Sequence, residues 1–163
     1  MAKNKEEKTN VMRVLEQKKI AYTAHTYPHE EGIAVDGVTV AQSMGFDPAI
    51  VFKTLVARGA SKQYYVFDVP VAENLDLKKA AKAVGEKSIE MIHQKELVPL
   101  TGYVHGGCSP VGMKKLFPTV FHSSAENLAA MIVSAGKIGY QVELAPHDLA
   151  ALVRAKFADI IVE

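Results

Sequence analysis

The sequence predicts an α+β domain built on a mixed, curled sheet with helices around it. Three observations lead there. Strand-like runs mostly follow one another, as at 50–57 and 64–69, without the regular crossover helices of a doubly wound sheet. The helix-like segments are short and carry their own punctuation, such as Asp76 before residues 77–84 and Gly85 after them. The chain has 163 residues, which fits one domain over 1–163 that buries its apolar surface without disulfides.

Each element has a local cause. Val11, Val14 and Leu15 share one face of a helix over 10–18, with Thr9 or Asn10 as its cap. Residues 20–27 alternate well enough for a strand, which the stretch from Pro28 to Gly32 breaks. A short helix over 39–45 stops at Gly45. Strands over 50–57 and 64–69 form a hairpin whose loop, 58–63, is longer than two residues. In the helix over 77–84, Lys78, Lys79 and Lys82 read as a solvated face. A short strand over 88–93 and one helical turn over 95–98 precede Pro99, and 118–122 reads as a strand. Ser123 with Glu126 reads as a capping box that opens a helix through Ala130. Strands over 131–134 and 139–144 flank a glycine turn, and Pro146 opens a final helix over 147–155.

Composition excludes several classes. Nineteen Lys and Arg stand against 18 Asp and Glu, so a net charge of +1 gives no global pull toward nucleic acid. RNA binding therefore needs a local patch or a partner's help. The single cysteine, Cys108, excludes an internal disulfide and a Cys-rich zinc site, and suits a reducing cytosol. The six histidines show no metal-ligand spacing, and no cofactor motif is present. Apolar runs fall short of the ~20 residues that a membrane span requires. The first eight residues are charged and lack the apolar region of a signal peptide.

Lys53 carries the sharpest question. It sits inside the apolar, β-branched run Ile50-Val51-Phe52-Lys53-Thr54-Leu55-Val56, which reads as a buried strand. An unpaired buried charge is costly, so Lys53 either snorkels to water at a sheet edge or lines a pocket and meets an anion. A second signal is Thr101-Gly102-Tyr103-Val104-His105-Gly106-Gly107-Cys108-Ser109-Pro110-Val111-Gly112. Its glycines admit positive φ, and its successive N–H groups can cradle an oxyanion or a carbonyl oxygen. A bulged turn between strands explains the same pattern. The third signal, Ser134-Ala135-Gly136-Lys137-Ile138-Gly139, fails the phosphate-loop pattern and reads as a hairpin loop presenting polar groups to a pocket. Cys108 has no evident base partner beyond its sequence neighbour His105, so the reading favours a small, half-buried filler over a nucleophile.

Five motifs in order then become specific: Phe52-Lys53-Thr54-Leu55, Leu75 through Lys82, Thr101-Gly102-Tyr103 with Gly106-Gly107-Cys108-Ser109-Pro110, Ser134-Ala135-Gly136-Lys137, and Glu143-Leu144-Ala145-Pro146. From about the first helix to the C-terminus, the chain resembles the YbaK/EbsC family of Cys-tRNA(Pro) deacylases, relatives of the editing domain inserted in bacterial prolyl-tRNA synthetases. The resemblance implies a mixed, barrel-like sheet around a pocket and clearance, in the cytoplasm, of cysteine wrongly attached to tRNA(Pro). It implies tRNA(Pro) charged with cysteine as substrate and prolyl-tRNA synthetase as partner in a ternary complex, with no cofactor, metal or membrane. It makes Lys53 the key pocket residue, with Gly106 and Gly107 beside it as catalytic residues. Tyr27, Thr54, Ser134 and Gly136 line the same cleft, and Ser109, Pro110 and Lys137 join them as substrate-binding residues through their motifs. Ile138 departs from the arginine often found there. The mechanism implied is substrate-assisted: the cysteinyl thiol attacks its own ester, closing a thiolactone. An alanyl-tRNA(Pro) deacylase of the same superfamily keeps the pocket and changes the substrate, and a non-catalytic nucleotide or aminoacyl binding module is the reading from a different class.

Overall fold

The computed structural model describes residues 8–163. The charged N-terminal stretch therefore lies outside the described residues, apart from Lys8. The architecture is α+β. Helix α1, Asn10–Gln17, begins where the Thr9 side chain accepts the Met12 N–H, and it buries Val11, Met12 and Leu15. Strand β1, Thr23–Thr26, follows. Helix α2, Gly37–Met44, starts earlier than expected because Asp36 accepts the Thr39 N–H, and Gly45 closes it at φ 80°.

Strands β2, Phe52–Gly59, and β3, Tyr64–Pro70, form the expected hairpin, with Lys53 opposite Val69 and Thr54 opposite Asp68. Helix α3, Leu77–Val84, has Asp76 and Gly85 as its ends. Strand β4, Ile89–Met91, pairs antiparallel with β2. Helix α4, Leu97–Thr101, runs through Pro99, which its first turn tolerates because no N–H is needed there. Strand β5, Thr119–His122, lies parallel to β3. Strands β6, Met131–Ser134, and β7, Tyr140–Leu144, form an antiparallel pair. Helix α5, Pro146–Val153, comes next, and β8, Ala155–Ala158, pairs parallel with β5.

The strands make a five-stranded sheet, β4-β2-β3-β5-β8, and a three-stranded sheet, β1-β7-β6. Among the described residues, a parallel bridge from Val51 to Ile132 joins the two where β2 begins. Val11, Leu15, Phe121, Met131, Val142 and Leu149 pack α1 and α5 onto β5, β6 and β7. Phe67, Val69, Ala80, Val120 and Ile160 form a second core beneath α3. Full burial of each large apolar side chain contributes roughly 1.5–3 kcal/mol, so these two clusters dominate the stability.

Three expectations are corrected. Residues 123–127 form a 3-10 turn with no side-chain cap, because the chain must be extended again by Leu128 to enter β6. The last helix stops at Val153, where Arg154 turns left-handed at φ 58° and releases β8, a strand that the sequence reading missed. Lys79 is not part of a solvated face: its ammonium reaches Asp159 at 3.1 Å, the Ile161 carbonyl at 2.9 Å and Glu163 at 3.3 Å.

Candidate active site

The pocket sits at the seam between the two sheets. Its volume is about 340 Å³, at the small end of the range for ligand sites. Lys53 and Thr54 from β2, Tyr27 after β1, Gly106 from the glycine-rich loop and Ser134 at the end of β6 all line it. β4 pairs with β2 just at Ala57–Gly59, and β6 approaches the start of β2 through the Val51–Ile132 bridge, so Lys53 and Thr54 lie where the two sheets meet.

Lys53 is half-buried and, among the described residues, forms no ion pair. Burial pulls its pKa below the ordinary lysine value, and the Asp36 and Glu73 carboxylates oppose that fall. The ammonium is thus partly desolvated and open to an incoming anion. Asp36, which also caps α2, lines the same pocket.

The two glycine-rich turns singled out from the sequence pack against each other. A Cβ on Gly107 would lie 3.1 Å from the Ile138 backbone nitrogen, and one on Gly136 would lie 3.0 Å from both Tyr103 and Val11. Gly106 has φ +91°, and a Cβ there would lie 2.7 Å from that of Ala34. Gly107 does not line the pocket; it is buried behind the wall, and its N–H donates to the Val104 carbonyl at 3.0 Å. The expectation of successive free donors is therefore narrowed: the N–H groups of Gly106 and Cys108 enter no hydrogen bond among the described residues.

Ser109, Pro110, Gly136 and Lys137 also stand outside the pocket lining. Ser109 is fully buried, and its hydroxyl accepts the Val111 N–H at 3.2 Å, fixing the loop. Pro110 is buried beside it. The Gly136 N–H donates to the Ser134 hydroxyl oxygen at 3.1 Å, which leaves that hydroxyl its own hydrogen to give. Lys137 is exposed, with its ammonium 5.3 Å from the centre of the Tyr140 ring. Tyr27 is held by its N–H bond to the Gly139 carbonyl at 3.0 Å and is 5% exposed.

Cys108 does line the pocket. Burial, with a smaller contribution from the Asp68 charge, pushes its thiol up to about 12, so it stays protonated at neutral pH. Among the described residues, no cluster of three His, Cys, Asp or Glu is placed to hold a metal ion.

The sequence reading missed several site residues. Gln141 is buried and lines the pocket, and its carboxamide oxygen has no hydrogen-bond partner among the described residues. His105 and Asp36 also contribute to the wall. Behind Thr54 lies Asp68, wholly buried, with burial pushing its carboxyl up to about 7. Its signal was present: an acid inside the apolar run Tyr64-Tyr65-Val66-Phe67-Asp68-Val69 poses the same question that Lys53 does in the neighbouring strand.

A small pocket at a sheet seam, lined by a partly desolvated ammonium and a glycine turn, suits the binding of an anionic or ester-bearing ligand. The model of the aminoacyl-tRNA editing domain matches residues 34–152. A provisionally named Enterococcus faecalis protein, the Cys-tRNA(Pro)/Cys-tRNA(Cys) deacylase EbsC, is 46% identical over 161 residues, covering 98% of each chain. A crystal structure provisionally described as a trans-editing enzyme for prolyl-tRNA synthetase superposes with a TM-score of 0.79 at 25% identity, over 94% of this chain and 95% of that one. A hypothetical protein at 19% identity superposes with a TM-score of 0.82, over 93% of this chain and 99% of its own, and has the same fold. The chain belongs to the aminoacyl-tRNA editing domain family.

Proposed function

We propose that this protein is a trans-editing deacylase that clears cysteine wrongly attached to tRNA(Pro). Cysteine and proline are close in size, and binding alone discriminates poorly between small side chains, so a second sieve is needed. The observation that carries the reading is a half-buried Lys53, without an ion pair among the described residues, that shares a small pocket with Gly106, while the one protein thiol is held neutral.

In this mechanism the substrate supplies the nucleophile. The cysteinyl sulfur attacks its own ester carbon, a C–S bond forms, and the carbonyl oxygen becomes an oxyanion. That intermediate collapses with cleavage of the bond to the ribose oxygen. The thiol proton ends on that oxygen, leaving uncharged tRNA and a cysteine thiolactone that water opens later. The four-membered ring is strained, and orientation within the pocket offsets that strain. The N–H groups of Gly106 and Cys108 are the donors for the oxyanion. Lys53 takes the phosphate and terminal adenosine region, and Ser134 and Tyr27 fix the aminoacyl end. With a net charge of +1 the protein has little intrinsic pull on tRNA, so selectivity for tRNA(Pro) comes from docking on prolyl-tRNA synthetase in the cytoplasm.

Deacylation of cysteinyl-, alanyl- and prolyl-tRNA(Pro) side by side tests the proposal. Cysteinyl-tRNA(Pro) should be cleared far faster than the other two, with thiolactone trapped as a product. Equal rates for the alanyl and cysteinyl substrates would point to an activated water in place of the substrate thiol. Clearance of none would leave a binding module.

A further inference from the structure

Asp68 lies opposite Thr54 in the β2–β3 register. Its Oδ1 accepts the Thr54 hydroxyl at 2.5 Å, and its Oδ2 has no hydrogen-bond partner among the described residues. Thr54 lines the pocket, whereas Asp68 does not. The carboxyl is therefore wholly buried one residue behind the wall, beside a core of Val56, Val66, Cys108 and Phe117. An apolar side chain would suit that core better, because a buried carboxyl with an empty oxygen costs stability. Something other than packing accounts for an acid there.

An unconstrained threonine hydroxyl rotates, and it serves as donor or acceptor as its neighbours require. With its hydrogen committed to Asp68, Thr54 has only lone pairs to offer the pocket. We propose that Asp68 is a positioning residue that holds Thr54 as a one-way hydrogen-bond acceptor, so that the pocket reads a donor on the aminoacyl group. That donor is the cysteinyl thiol or the α-ammonium. The carboxyl titrates at about 7, and its empty Oδ2 can carry a proton while Oδ1 still accepts from Thr54, so the arrangement survives in both states. This inference rests on the deacylase reading.

The test compares Thr54→Val, Asp68→Val, Asp68→Asn and the Thr54→Val/Asp68→Val double variant, using kcat/KM on cysteinyl-tRNA(Pro). Thr54→Val and Asp68→Val should each lose roughly tenfold or more, as expected for one misdirected buried hydrogen bond. Asp68→Asn keeps a carboxamide oxygen for Thr54 and should stay within about threefold of wild type. The double variant should be no worse than Thr54→Val alone, because Asp68 acts through that hydroxyl. Losses that multiply in the double variant, or a folded Asp68→Val with full activity, would overturn the proposal. If Asp68→Val does not fold, full activity in Thr54→Val, or a loss in Asp68→Asn as large as that in Thr54→Val, overturns it equally. A Thr54→Val loss confined to the cysteinyl substrate identifies the thiol as the donor, and an equal loss on alanyl-tRNA(Pro) identifies the α-ammonium. A wild-type protein that clears no charged tRNA sinks the deacylase reading and this inference together. Clearance by wild type with Thr54→Val unimpaired sinks this inference alone.

Discussion

Replacing Asp68 by asparagine should make the stability less sensitive to pH, so that the variant gains on the wild type as pH rises. The carboxyl titrates at about 7 in the folded protein, against an ordinary value of 3.8. The cause is desolvation, only partly offset by the Thr54 hydrogen bond. A folded-state pKa raised above the unfolded one means that the folded protein holds this proton more tightly. The resulting stabilisation is fully present below pH ~4 and is lost as pH rises through ~7. About three pKa units correspond to ~4 kcal/mol in all, of which ~3 kcal/mol falls between pH 5 and pH 8. Asparagine has nearly the same shape and does not titrate. The difference in unfolding free energy between the two proteins therefore isolates this one group, since the other titrations are common to both. Urea unfolding at intervals from pH 5 to pH 8 measures it, and a ~3 kcal/mol change moves the midpoint by roughly 1–2 M. A difference that stays constant within about 0.5 kcal/mol over that range would refute the reasoning. So would one that shrinks as pH rises.

Other substitutions probe the pocket directly. Lys53→Ala should lower kcat/KM on cysteinyl-tRNA(Pro) by roughly 100-fold with the circular dichroism spectrum unchanged; Lys53→Arg should also be impaired, because the guanidinium has a different shape and donor geometry. Near wild-type turnover by Lys53→Ala would end its assignment. Cys108→Ala should keep activity within a few-fold, since a thiol titrating at about 12 is not a nucleophile at neutral pH; loss of activity with a trapped cysteinyl-enzyme thioester in wild type would revive covalent catalysis. Gly106→Ala places a methyl 2.7 Å from Ala34 at φ +91°. It should cost ~2 kcal/mol, seen as a Tm lower by roughly 4–8 °C.

The sequence made some of this architecture readable and hid the rest for physical reasons. Helix α3 was legible to the residue, because an aspartate cap and a left-handed glycine mark both of its ends. Strand β8 was not. The sequence Ala155-Lys156-Phe157-Ala158 continues a helical pattern, and the chain turns at Arg154, which is neither glycine nor proline. The Ser123 and Glu126 capping signal misled because the span between β5 and β6 is too short to use it as a helix. Within the site, Lys53 stood out as a charge in an apolar strand. Gln141 and Asp36 carry no such contrast locally, and only the tertiary fold turns them toward the pocket.

The pocket is assembled from segments that lie far apart along the chain, and this bears on how the protein reaches its active form. Tyr27 is set by β1, whose partner β7 pairs Thr23 with Glu143 near the other end of the sequence. Lys53, Gly106 and Ser134 come from three further segments. Such pairings close long loops and form late, after local helices and the β2–β3 hairpin. A partly folded chain then has no weakened site; it has no site at all. During refolding, recovery of deacylase activity should follow the slowest kinetic phase and not the early gain of helix signal, which makes turnover a reporter of the last long-range contacts to form.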